Sequence, residues 1–403
     1  MTYNWKVPWS GRSHDYTEEE IQLVVDVMRS GDPLTQGKYL SLFENKLAGY
    51  LKVPQGKIFA LNSATSALEL IAGMLHLEES QEVIVPAHTF TASALPFLRR
   101  KASIVWADID PETWTIDLAD VERKLSPKTR GIVLVHLYGV PVDINGFLEL
   151  ASRKNIVIIE DVAQAFGGEY QGQKLGTFAD FSAFSFHGQK NMTTLGEGGA
   201  LFVKDSNLVD KVPGLRSFGS KPFGKRDFYW KPAMSNLDSF MDWELPNKFT
   251  ITEVQCAVGY KLLDRIDTLN KEKGRRYWNF RAALSSFPEL RFQKILPKDT
   301  AAYHLMPAKY EGSKHGIQAQ RDDLIQILSS EYGIQAIVQY CPLYRYDLYK
   351  KWGCGNANCP NTDDFFDNML SFPFHLWMSD EQFDYMTEST IKALIRLRKR
   401  DKK

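Results

Sequence analysis

Phe181-Ser-Ala-Phe-Ser-Phe-His-Gly-Gln-Lys190-Asn-Met-Thr-Thr-Leu-Gly-Glu-Gly-Gly199 carries an apolar run up to a single lysine and leaves it through glycines. Phe181 to Phe186 reads as a buried strand with Ser185 near its end, and Gly196, Gly198 and Gly199 supply a tight turn into a next strand at Ala200 to Val203. This order presents the Lys190 amine at a sheet edge, where α/β proteins form their pockets. A lysine desolvated there loses proton affinity, which is the condition for forming a Schiff base with an aldehyde. Most lysines are solvated surface residues, so Lys190 gains meaning only from what stands near it.

Upstream, Asn155-Ile-Val-Ile-Ile-Glu-Asp161 is a continuous apolar strand ending in two carboxylates. Pyridoxal phosphate needs a lysine for its aldehyde, a carboxylate against its pyridinium nitrogen, and donors around its phosphate. Lys190 and Asp161 would meet the first two needs. Aspartate is equally a favoured helix N-cap, and spacing alone does not separate the two roles.

Several further stretches, taken in order, carry a resemblance. They are Thr35-Gln-Gly-Lys-Tyr-Leu-Ser-Leu-Phe-Glu44, Asn62-Ser-Ala-Thr-Ser-Ala-Leu68, Val85-Pro-Ala-His-Thr-Phe-Thr-Ala92, His136-Leu-Tyr-Gly139, Glu160-Asp-Val-Ala-Gln-Ala165, Phe184-Ser-Phe-His-Gly-Gln-Lys-Asn191 and Gly196-Glu-Gly-Gly199. Together they resemble the DegT/DnrJ/EryC1/StrS family of pyridoxal-phosphate sugar aminotransferases over most of the chain. The resemblance implies the aspartate-aminotransferase-like fold type I, a mainly parallel seven-stranded sheet between helices with a smaller C-terminal α+β domain. It also implies that Phe90 stacks on the cofactor ring, Gln164 lies near the ring oxygen, and Ser185 reaches the phosphate. The stretch Leu245 to Gln255 is similar to the segment through which a neighbouring subunit completes the phosphate site, so a homodimer with a shared active site is expected. The match there is imperfect: Thr250 takes the position of an arginine, and either Asn247 or Lys248 would reach the phosphate.

The residues themselves support the same plan. Runs at Lys57 to Asn62, Glu82 to Pro86, Ser103 to Ala107, Gly131 to His136 and Ile156 to Glu160 join the two already named, and they alternate mostly with helical patterns such as Ile144 to Arg153. That alternation argues a sheet covered on both faces. Ser63-Ala64-Thr65-Ser66 opens a helix running to about Leu77, and a helix N-terminus offers free amides and a positive dipole end to a phosphate, with hydroxyl donors from Ser63, Thr65 and Ser66. An ordinary Ser/Thr cap would look the same. The two domains are expected at residues 1–250, including the N-terminal segment, and 251–403, where strands at Tyr303 to Lys309 and Ile334 to Tyr340 and a helix at Arg321 to Ser330 build a cap. Gln339 stands where relatives carry a histidine. The aromatic and basic stretch Arg216 to Trp243 reads as a long loop in which Lys221, Lys225 and Arg226 could meet the phosphates of a nucleotide carrier, a solvated basic loop being the plainer reading.

With 403 residues, 49 basic against 49 acidic side chains and zero formal net charge, no global field draws nucleic acid or a membrane surface, and anionic ligands must be held locally. There is no Walker-type loop and no strand-linked GxGxxG, so nucleotide hydrolysis and dinucleotide redox chemistry lack their signatures. Cys256, Cys341, Cys354 and Cys359 show no paired metal-binding spacing, and no window has the length of a signal core or membrane span, so free thiols, no metal and a cytoplasmic location are expected. The function these readings predict is amino transfer from an amino acid, expected from the family to be L-glutamate, to a keto or aldehyde sugar. A nucleotide-linked hexose is the default acceptor; a free keto sugar, a cyclitol ketone or an eight-carbon acid sugar would use the same machinery. A regulatory, non-enzymatic protein on this scaffold is the alternative, and the intact Lys190, Asp161 and Ser185 set speaks against it.

Overall fold

The computed structural model describes residues 4–220 and 237–400. Lys221, Lys225 and Arg226 therefore lie outside the described residues. Seven strands, β1 (Ile58–Leu61), β2 (Glu82–Pro86), β3 (Ser103–Ala107), β4 (Thr129–Val135), β5 (Val157–Asp161), β6 (Phe181–Ser185) and β7 (Gly199–Val203), form one sheet in the order β1-β7-β6-β5-β4-β2-β3. All neighbours run parallel from β3 to β6, and β7 is antiparallel to both β6 and β1.

Alternate residues along each strand divide between two hydrophobic cores. Val133, Val135, Ile159, Ala183 and Leu201 face one, while Ile132, Leu134, Ile158, Phe184 and Ala200 face the other. Burial on both faces is why these strands are continuous apolar runs in the sequence.

Helix α1 (Glu18–Arg29) starts with a capping box from Thr17 and Glu20. Helix α2 (Lys38–Leu51) follows Gly37, which has no side chain to cap it. The buried Glu253 carboxylate does so from a distance, accepting from the amides of Gly37 (2.8 Å), Tyr39 (2.7 Å) and Leu40 (3.2 Å). Helix α3 (Ala64–Met74) begins at the carboxyl end of β1 and ends sooner than the expected Leu77. Glu253 itself opens α4 (Glu253–Leu262), whose Cys256 and Leu262 belong to the same core as Ile132, Leu134 and Ile158.

A third core surrounds a three-stranded antiparallel sheet of β8 (Leu290–Phe292), β9 (Met306–Tyr310) and β10 (Met369–Phe372), with α5 (Ile266–Ala283), α6 (Arg321–Tyr332) and α7 (Asp380–Arg400) packed around it. Two expectations change here. The strand foreseen from Tyr303 starts at Met306, because the Ala302 and His304 amides donate to Gly139 and Tyr138 carbonyls instead of a ladder. The foreseen strand Ile334 to Tyr340 does not form; its backbone is shared between Val7, which pairs with Ile334, and Ser371, which pairs with Ile337. Val7 is fully buried in this third core, so the first described residues pack on the smaller unit although the sequence had grouped them with the larger one. We propose a division of the chain near residue 250, with α4 as the link, supported by the fact that every other residue of the third core comes from Tyr277 onward.

Candidate active site

Glu160 and Asp161 are consecutive in β5 and so point to opposite sides of the sheet. Glu160 is fully buried and accepts from the amides of Gly176, Phe178 and Ala179, which fixes the loop before β6. Asp161 turns into a cavity of about 510 Å³ at the carboxyl ends of the parallel strands. One of its carboxylate oxygens accepts from Ser93 Oγ at 2.7 Å and the other from the Ala163 amide at 3.0 Å. It thus has both the capping-type turn and the cavity-facing position that the sequence left open.

Lys190 lies on the turn between β6 and β7, where its amide donates to the His187 carbonyl at 2.8 Å. Its side chain lines the same cavity as Asp161. Desolvation lowers the amine to about 8, against the opposing pull of the Asp161 charge. The neutral, nucleophilic form of the amine is then a minor fraction near neutral pH, far more than an ordinary lysine would offer.

At another wall of the cavity, Ser63, Ala64 and Thr65 form the start of α3. The Ser63 hydroxyl accepts from the Ser66 amide at 3.0 Å, so it does cap the helix, while the first amides of the helix have no intrahelical acceptor. Ser66 is turned inward to Asn62 Oδ1 at 2.5 Å and is not among the cavity residues, which corrects the expectation that it offers a hydroxyl to a ligand. Ser185, at the end of β6, lines this cavity too. Gly199 makes the close approach possible: a Cβ there would collide with the backbone of Ser63 and Ala64.

Phe90 is 54% exposed on the cavity wall, and its ring meets Tyr340 edge-on at 6.0 Å. Gln164 is held at both ends, accepting from the Tyr138 amide at 2.7 Å and donating to the Tyr340 hydroxyl at 3.1 Å. Ser63, Ala64, Thr65, Phe90, Asp161, Gln164, Ser185 and Lys190 therefore share one cavity. Asn247 and Lys248 do not line it: Asn247 Nδ2 donates to the Leu245 carbonyl, and the Lys248 ammonium lies 5.2 Å from the Phe218 ring centre.

Sequence reading missed several residues of this site. Ser93 lies one position beyond the quoted stretch Val85 to Ala92, and only the fold brings it to Asp161. Tyr340 stacks over Tyr138 at 6.3 Å and bounds the cavity from the smaller unit. Lys273, on α5, is fully buried and donates to Asn191 Oδ1 (3.1 Å) and the His304 carbonyl (2.9 Å), which ties α5 to the residue after Lys190. Its signal was a lone lysine on an otherwise buried helix face.

A desolvated lysine, a tethered carboxylate and a free helix N-terminus around one cavity fit the aldehyde, ring nitrogen and phosphate of pyridoxal phosphate. The fold and site define a pyridoxal-phosphate-dependent enzyme of fold type I. Residues 14–390 match the model of the DegT/DnrJ/EryC1/StrS aminotransferase family, and the chain belongs to that family. Among its relatives is the spore coat polysaccharide biosynthesis protein SpsC of Bacillus subtilis, 30% identical over 92% of this chain and 93% of that protein. The GDP-perosamine synthase of Escherichia coli O157:H7 is 29% identical over 93% and 95% of the two chains. Among solved structures, PseC of Helicobacter pylori, an aminotransferase of pseudoaminic acid biosynthesis, superposes with a TM-score of 0.85 at 27% identity, covering 96% of this chain and 99% of its own. Among the described residues no helix is long and apolar enough to cross a membrane, and no group of His, Cys, Asp or Glu is placed to hold a metal ion.

Proposed function

We propose that this protein moves an amino group from an amino acid, L-glutamate being the expected donor, to a keto or aldehyde carbon of a nucleotide-linked sugar. The product would serve aminosugar or surface-polysaccharide synthesis in the cytoplasm. The names of SpsC and GDP-perosamine synthase support the pathway class. The observation that carries the reading is the meeting of Lys190 and Asp161 in one cavity that also borders the N-terminus of α3.

Pyridoxal phosphate, when bound, supplies an aldehyde for the amine and an electron-poor ring that stabilises negative charge on the carbon next to the transferred nitrogen. In this proposal Lys190 does the proton work. Its amine, lowered to about 8, would act as the base and acid of the transfer, taking and giving back a proton at the carbon that bears the nitrogen. Asp161, held by Ser93 and the Ala163 amide, would keep a proton on the ring nitrogen. The α3 amides and Ser185 would hold the phosphate, and Phe90 and Gln164, on the same cavity wall, would bound the ring. Asn247 or Lys248 of a second copy would complete the phosphate site, which accounts for their position outside the cavity of their own chain.

Lys190→Ala tests the reading. Loss of turnover together with loss of the visible absorbance of the loaded protein is expected, and full activity in that variant would end the proposal. Screening keto sugars against the amine-loaded enzyme identifies the acceptor.

A further inference from the structure

The ammonium of Lys273 is buried on α5 against neutral partners. It donates to Asn191 Oδ1 at 3.1 Å and to the His304 carbonyl at 2.9 Å, and the Phe374 ring centre lies 4.9 Å away. The titratable groups coupled to its charge are Lys190, His304, His14 and His375, none of them a carboxylate. The nearest acids stand behind these groups, Asp161 facing Lys190 and Asp15 facing His375. Burying an ammonium without an anion is costly, and a methionine would fill similar space without that penalty. A sequence that keeps such a residue breaks a packing rule, and such breaks mark functional positions.

The partner of Lys273 shows what the amine is for. Asn191 directly follows Lys190 and is itself buried. Its Nδ2 donates to Asn270 Oδ1 at 2.7 Å and to the Ala302 carbonyl at 2.5 Å, while Lys273 occupies its oxygen. Asn270 Nδ2 donates in turn to the Phe166 carbonyl at 3.0 Å. The Asn191 carboxamide is therefore gripped at both ends, and losing the Lys273 donor would free it to turn. This buried network joins α5, the turn between β6 and β7, the loop before β9, and the segment that runs from Asp161 through Gln164 to Phe166. The two groups that must face each other across the cavity, Lys190 and Asp161, thus both stand on chain that the network holds.

We propose that Lys273 is a positioning residue for the amino transfer: acting through Asn191, it fastens the turn that carries Lys190 to α5 and to the segment that follows Asp161. The assignment rests on the aminotransferase reading above. Lys273 does not line the cavity, so it acts on the reactive amine at one remove. Its consequence is chemical as well as mechanical, because a loosened turn would let water reach the Lys190 amine and restore its proton affinity.

The test uses the full-length protein and the variants Lys273→Met, Asn191→Ala and the two combined. In cofactor-free protein, competitive acetylation with acetic anhydride across pH, read by mass spectrometry of the peptide that holds Lys190, gives the titration midpoint of that amine. Each single variant should move the midpoint from about 8 toward 10.5 by about one pH unit, a tenfold loss of neutral amine near pH 7, and the combined variant should move it no further. In cofactor-loaded protein with L-glutamate, kcat should fall about 10-fold in Lys273→Met with KM within about twofold. A Lys273→Met protein that unfolds at lower urea but keeps the Lys190 midpoint and kcat would overturn the assignment, since Lys273 would then serve stability alone. Additive effects in the combined variant would overturn it too, because Lys273 would not be acting through Asn191. Should Lys273→Met fail to fold, Asn191→Ala carries the test, and an unchanged midpoint there has the same force. A wild type inert toward every L-amino acid would overturn the aminotransferase reading and this role with it, whatever the acetylation shows.

Discussion

Ser93 Oγ donates to Asp161 Oδ2 at 2.7 Å, across 68 residues of chain. The bond fixes which way the carboxylate faces, and Ser93 has no other evident duty beyond a contact with Thr89 Oγ1 at 2.9 Å. Ser93→Ala is expected to lower kcat about 10-fold, the effect of removing one hydrogen bond to a charged group. Asp161→Asn, which removes the charge itself, should cost about 100-fold or more. Steady-state kinetics with cofactor in excess separates the two; equal losses would show that Ser93 does more than orient its partner.

Lys190 and Lys273 are both held below their ordinary value of 10.5, at about 8 and about 7, chiefly by burial. Each binds fewer protons folded than unfolded, so each opposes folding in full below its folded pKa, and the opposition fades as pH rises toward 10.5. Cofactor-free protein should therefore gain stability from these groups between about pH 7 and about pH 10. Lys273→Met removes one of the two contributions, and denaturant unfolding across that window should show a shallower rise than wild type. An unchanged slope would mean that Lys273 is charged at no cost.

Glu253 supplies the cap that Gly37 lacks. Glu253→Gln replaces a carboxylate facing three amides with an amide that can accept through one oxygen only. A loss of about 2 kcal/mol is expected in the midpoint of urea unfolding with the slope unchanged, as for a lost charged helix cap.

If Asn247 and Lys248 act across a dimer, a variant lacking both and Lys190→Ala should each be inactive alone. Co-refolded in equal amounts they should recover about a quarter of wild-type activity, because half the dimers are mixed and each holds one intact site. No recovery would remove these two residues from the shared site.

The sheet was legible because strands buried on both faces are unbroken apolar runs, and all seven were found to within two residues at each end. β8 and β10 span only Leu290–Phe292 and Met369–Phe372, too short to display a period. Of the site, Lys190, Asp161 and the start of α3 were readable because their chemistry is local to a strand end. Ser93, Tyr340 and Lys273 were not, because each acquires its surroundings from parts of the chain far away in sequence. Asn247 and Lys248 were read from the resemblance alone, and in this chain they lie outside the cavity.

Gly199 shows where tolerance to change will be narrowest. In a saturation library selected for activity, its codon should stay monomorphic, since even one added methyl would push the start of α3 off the sheet. Its neighbour Ser63 should accept other capping residues. The least replaceable position in this part of the enzyme is thus one that offers a ligand no chemical group at all.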